Sequence, residues 1–146
     1  MRRALALTFV LLIGVFSSSA HADIVGQASV IDGDTIEIHD QRIRFFGIDA
    51  PESDQLCLAQ GKQWRCGQQA ALALHEKVAG RTVTCVERDR DRYGRTVAAC
   101  RAGDEDINAS LVAQGWAMAY RQYSTDYIGR EAAARSAQGY LARDIR

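Results

Sequence analysis

The chain has 146 residues, with 18 Lys and Arg against 18 Asp and Glu, so its formal net charge is zero. A protein that holds nucleic acid by bulk attraction is usually far more basic, so any such role must rest on a local patch. The length suits one domain with one core, and no repeat, low-complexity tract or linker divides it.

Arg2 and Arg3 precede an apolar run, Ala4 to Phe16, which is followed by small residues and Ala20-His21-Ala22. This pattern predicts a secretory signal peptide over residues 1–22, cleaved after Ala22. Its apolar core is too short to cross about 30 Å of hydrocarbon comfortably. No later segment is apolar enough for a transmembrane helix, so no membrane role is expected. The remaining domain, residues 23–146, is expected to be exported, to the periplasm or outside the cell. Losing Arg2 and Arg3 leaves 16 basic residues against 18 acidic ones, a charge of −2.

Ile24 to Val30 reads as a first strand. Thr35 to His39 reads as a second, with Ile36 and Ile38 alternating with polar residues. Between them, Asp32-Gly33-Asp34-Thr35 carries the Asp-Gly turn signal. It is not an EF-hand loop, because Ile36 stands where a third oxygen ligand is needed and no glycine follows. A turn at Asp40-Gln41 leads into a strand from Arg42 to Ile48, with Arg42 and Arg44 on one face and Ile43 and Phe45 on the other. Pro51 cannot donate to a ladder and biases Ala50 toward an extended conformation, so this strand stops at Asp49-Ala50-Pro51-Glu52. Arg44, Asp49 and Glu52 therefore gather at one strand end, with Asp32 and Asp34 close across the hairpin. That gathering is costly unless a metal ion or phosphate sits among the charges.

From Cys66 to Ala79 the period changes: Ala70, Ala71, Leu74 and Val78 share one helical face, and Gly80 is the stop. Arg81 to Arg88 and Arg95 to Arg101 form a hairpin about Arg92-Tyr93-Gly94. Cys85 and Cys100 fall opposite each other in it, at bridgeable separation. Cys57 and Cys66 then close a short loop, so two disulfides are expected in an exported chain. Zinc is a poor alternative, since there is no C-x-x-C and His75-Glu76 lacks a second histidine. Ile107 to Gln114 reads as a short helix closed by Gly115, and Ser124 or Thr125 as the cap of a helix from about Asp126 to Gln138. The order β-β-β-α-β-β-α-α predicts an α+β fold: a five-stranded OB-fold-like Greek-key β-barrel with three packed helices.

Three segments together, Val30 to Thr35, Arg44 to Glu52 and Asp91-Arg92-Tyr93-Gly94-Arg95, resemble the signature of the thermonuclease (staphylococcal nuclease-like) family. Asn108 to Gly115 resembles that family's helix after the last strand. The resemblance implies calcium (Ca2+) held by the carboxylates of Asp34 and Asp49 and the backbone carbonyl of Ala50, where relatives often have threonine. Asp32 would orient a water of the ion's shell. Arg44, Glu52 and Arg95 match the catalytic trio; Arg92, Tyr93 and Tyr120 match groups that hold the nucleotide. Gly139-Tyr140-Leu141 departs from the family's usual Gly-Leu-Trp.

The implied activity is hydrolysis of DNA and RNA, at single-stranded or locally unpaired sites, by a monomer, leaving the phosphate on the 3′ side. The residue types suit it. Calcium takes oxygen ligands in an irregular shell. Arginine forks donate to equatorial phosphate oxygens, and Glu52 is the candidate general base. Contacts to phosphate, metal and base faces read no sequence. A non-catalytic OB-fold module that binds single strands is the alternative, since the same scaffold can bind strands without cutting them.

Overall fold

Ile36, Ile38, Ile43 and Phe45 are buried, whereas Glu37, Arg42 and Arg44 between them are not. That alternation builds the centre of the sheet, seen here in a computed structural model that describes residues 22–137. The expected signal peptide, Ala22 apart, lies outside the described residues, as do Gln138 and Gly139-Tyr140-Leu141.

In chain order the described elements are β1 (Ile24–Gln27), β2 (Ser29–Asp32), β3 (Thr35–Ile38), β4 (Gln41–Phe45), β5 (Ile48–Asp49), β6 (Cys57–Ala59), β7 (Lys62–Trp64) and α1 (Cys66–Val78). They continue with β8 (Thr82–Arg90), β9 (Thr96–Ala102), β10 (Glu105–Asp106), α2 (Ile107–Ala113), β11 (Met118–Ala119) and α3 (Ile128–Ser136). The main sheet runs β1-β8-β9-β4-β3-β2, with β4 and β9 parallel. Only Ala28 separates β1 from β2, so one run supplies both ends of that path and the sheet curls back on itself. Counted this way the five strands are β1 with β2, β3, β4, β8 and β9: the OB-fold-like α+β architecture with three packed helices, as expected. Leu74 and Val78 of α1 and Ile107, Leu111 and Val112 of α2 close the core. No described helix is long and apolar enough to cross a membrane.

Both disulfides form as the spacing predicts, Cys57–Cys66 and Cys85–Cys100. Cys85 and Cys100 are direct partners in the β8–β9 register. Several boundaries differ from expectation: the strand expected from Arg42 to Ile48 ends at Phe45, because a turn at Phe46-Gly47, with Gly47 at φ +71°, splits it from β5. The β3–β4 turn is His39-Asp40, one residue early: both have positive φ (51° and 61°), and Ile38 pairs with Gln41. A two-residue loop of that kind matches the twist of the flanking strands. Helix α3 begins at Ile128 instead of Asp126, because Ser124 Oγ accepts the Asp126 N–H (3.0 Å) in a local turn and caps nothing. The small hairpin β6–β7 was not expected at all.

Away from the strand-end charges, Lys77 Nζ donates to Glu105 Oε1 (2.9 Å) and Ser110 Oγ (2.7 Å), and Arg81 Nη1 to Glu105 Oε2 (2.7 Å). The Arg81 and Lys77 hydrogen bonds hold the Glu105 carboxyl down at about 2, against a modest opposing effect of burial. A depressed carboxylate contributes stability above its unfolded value and loses it as pH falls through the folded one. Between about pH 4.5 and 2, Glu105→Gln is therefore expected to flatten the acid limb of a denaturation curve. A limb as steep as the parent's would refute this. Glu105 is about one-third exposed, so solvent screening keeps the effect below the full linkage value.

Candidate active site

The turn and the acidic cluster turn out to be the same feature. A bulge between Val30 and Asp32 shifts the β2–β3 register, so that Asp32 pairs with Thr35 and Gly33-Asp34 form the loop. Asp32 Oδ1 accepts the Asp34 N–H (3.1 Å), and Asp34 O accepts the Phe45 N–H (2.8 Å), which sets Asp34 beside the end of β4. Arg44 Nη2 then lies 2.7 Å from Asp49 Oδ1 and 3.2 Å from Asp34 Oδ2. The Ala50 N–H donates to Asp34 Oδ2 (3.1 Å), and Thr35 Oγ1 to Asp34 Oδ1 (3.0 Å).

The corner that returns Asp49 to Arg44 needs its own supports. Gly47 has φ +71°, and a Cβ there would lie 2.9 Å from the Tyr127 ring, so glycine is required on both counts. β5 pairs with β11, and the Tyr120 N–H donates to Gly47 O (2.9 Å). Sequence reasoning missed Asn108, which is fully buried in α2. Its Nδ2 donates to Phe46 O (3.0 Å) and Ala98 O (3.3 Å), and its Oδ1 accepts the Cys100 N–H (3.0 Å). An asparagine inside an otherwise apolar helical face was the available signal.

Asp34 is 3 % exposed. Burial pushes its carboxyl up to about 7, a rise that Arg44 only partly offsets. Burial would lower the Arg44 pKa, but the Asp34 and Asp49 carboxylates outweigh it and hold it above its ordinary value. Asp34 is thus a buried carboxylate short of positive charge, and with Asp49, which shares its Arg44 partner, it forms a set of oxygen donors only. A hard cation such as calcium fits that set. Among the described residues no three His, Cys, Asp or Glu side chains converge as a closed cage, so these groups would leave most of a shell to water and substrate.

Glu52 lies three residues past Asp49, beyond buried Pro51; its side chain is exposed and has no ion pair among the described residues. Arg95 immediately precedes β9, whose Thr96 and Val97 pair in parallel with Ile43 and Arg44, so its backbone stands beside Arg42 in the strand that carries Arg44. Asp91, also missed, holds it there. Asp91 Oδ2 accepts from Arg95 Nε (2.6 Å), and Oδ1 accepts the N–H groups of Tyr93 and Arg95, both at 2.9 Å. A slight burial effect raises the Asp91 pKa, but these hydrogen bonds outweigh it and leave the carboxyl below its usual value. Tyr93 is 71 % exposed, with the Arg92 guanidinium 4.9 Å and that of Arg95 5.7 Å from its ring centre. Tyr120 packs edge-on against Tyr123, with ring centres 4.8 Å apart. The strand-end carboxylates thus share one arginine fork, and a second, that of Arg95, stands beside the exposed Tyr93 ring.

Residues 42–141 match the family described as Staphylococcal nuclease homologue. Asp32 and Asp34 lie upstream of the matched stretch. The succinoglycan biosynthesis protein ExoI of Rhizobium meliloti (strain 1021) is 40 % identical over 136 residues, covering 91 % of this chain and 70 % of that protein. An uncharacterized endonuclease of Escherichia coli O157:H7 is 41 % identical over 113 residues, covering 73 % and 68 %. A micrococcal nuclease of Shigella flexneri is 35 % identical over 135 residues, covering 83 % and 71 %. The chain belongs to the staphylococcal nuclease family of phosphodiester-hydrolysing enzymes.

Proposed function

We propose that the chain is an exported, calcium-dependent endonuclease that cuts DNA and RNA with little sequence preference. Residues 1–22 are its signal peptide and residues 23–146 the working monomer. The observation that carries this reading is the Arg44 guanidinium held between the Asp34 and Asp49 carboxylates, with Glu52 just beyond. Two disulfides support export to an oxidising compartment, periplasmic or extracellular.

A phosphodiester resists hydrolysis because its own charge repels nucleophiles and more charge builds up at phosphorus. Calcium held by Asp34, Asp49 and the Ala50 carbonyl, with Asp32 orienting a water beside it, would supply Lewis-acid polarisation. Arg44 is engaged through Nη2, so the rest of its fork can donate to an equatorial oxygen. Arg95 is engaged through Nε and presents both Nη groups. Glu52 draws the proton from a water whose oxygen bonds to phosphorus in line as the P–O5′ bond breaks; the departing 5′ oxygen takes a proton from solvent, and the phosphate stays on the 3′ side. Arg92, Tyr93 and Tyr120 hold the nucleotide. Stacking on a base face suits single-stranded or locally unpaired substrate and tolerates any sequence.

Degradation of plasmid and total RNA by residues 23–146, with calcium and then with excess chelator, tests the reading. Cleavage that chelation stops supports it, cleavage that persists refutes the metal site, and no cleavage by folded protein refutes the activity. If Asp91 serves only to aim Arg95, Asp91→Ala is expected to lower kcat about 10- to 100-fold with the fold intact. A variant as fast as the parent would show that Arg95 needs no such holder.

A further inference from the structure

We infer that Gln55, Gly67 and the Cys57–Cys66 disulfide form a positioning device for the Glu52 carboxylate. This rests on the reading of Glu52 as general base. Glu52 sits in an irregular segment with little apolar burial of its own: Leu56 and Leu58, either side of Cys57, are 52 % and 59 % exposed. A segment like that is expected to wander unless it is tied down.

Two ties close the segment on itself, and the others anchor it to α1 and β2. The Gln55 N–H donates to Glu52 O (2.9 Å), and Gln55 Oε1 accepts the Glu52 N–H (3.3 Å). The Gly67 N–H at the start of α1 donates to Gln55 O (3.2 Å). A Cβ on Gly67 would fall 1.7 Å from Glu52 O, so the helix approaches the Glu52 backbone as only glycine allows. Ser53 Oγ donates to Ile31 O (3.1 Å). The disulfide joins Cys57 to Cys66, a fully buried helix residue next to Gly67. Helix α1 is thereby the platform against which Glu52 is registered. An error of about 1 Å in the placement of a base costs on the order of 10²-fold in rate, so the covalent tie acts on kcat more than on substrate binding.

The test is a cycle of Cys57→Ser/Cys66→Ser with Glu52→Gln, in protein that keeps Cys85–Cys100. In the parent background the cysteine variant is expected to lose about 10- to 100-fold in kcat. KM for DNA should stay within about threefold, and calcium affinity by calorimetry should be unchanged. In the Glu52→Gln background it should cost nothing further, because groups acting as one unit are not additive. Unchanged kcat without the bond, or equal losses in both backgrounds, would overturn the inference while the base reading stands. Full activity of Glu52→Gln would overturn both. If the cysteine variant does not fold, Gln55→Ala, which leaves the bond intact, replaces it in the cycle, and an additive loss again overturns the inference.

Discussion

Arg44→Ala is expected to cut the rate of plasmid hydrolysis at least 10²- to 10³-fold while circular dichroism shows a folded protein. The argument has two parts. Removing a preorganised donor from a developing charge typically costs on the order of 2.7–4 kcal/mol of transition-state stabilisation. The guanidinium also lies within 3.2 Å of both Asp34 and Asp49, so its loss leaves buried Asp34 with no cationic partner. Asp34, already pushed up by burial, then takes a proton more readily and calcium affinity falls with it. Arg44→Lys restores a charge but not the fork, so it should recover calcium binding better than rate. The decisive comparison is kcat at saturating calcium. Near-normal cleavage by folded Arg44→Ala protein would remove Arg44 from the reaction.

The largest stability effect is expected at Asn108. Asn108→Ala leaves the Cys100 N–H and the Phe46 carbonyl without the partners that α2 supplies. Each buried group so stranded costs about 1–3 kcal/mol. Together they should lower the melting temperature by on the order of 10 °C in a domain this size. Rates below the transition should change much less than in Arg44→Ala, because the carboxylates and guanidiniums are untouched. A shift of only a degree or two would mean that water or a local adjustment satisfies the freed groups.

These two residues also mark what the sequence made legible. Arg44 stood out because it lies in a period-two run that leads into a proline corner, with acidic residues on both sides. The pairing of Cys85 with Cys100 followed from a symmetric hairpin about Tyr93-Gly94. Local patterns of that kind are written in consecutive residues. Asn108 is not: its partners lie 62, 10 and 8 positions away, in the turn after β4 and in β9. The β6–β7 hairpin was hidden because Cys57 to Trp64 shows no alternation, and its positive-φ turn at Gln60-Gly61 falls in a polar run. The two-residue strands β5 and β11 carry no period at all. What places Asp49 against Arg44 is their pairing, which only the assembled core dictates.

The return of one run to both ends of the sheet bears on how the chain acquires its structure. β2, β3 and β4 meet through tight turns and pair with near neighbours in sequence. β1 must instead wait for β8, whose residues lie 55 to 61 positions further along. In a chain delivered from its N-terminus, β1 emerges early and finds its partner late. Long-range pairing of this kind is slow, on the ms–s scale for sheet-rich domains, and an unpaired edge is open to other chains meanwhile. Closure of β1 on β8 is therefore the step at which folding and aggregation compete.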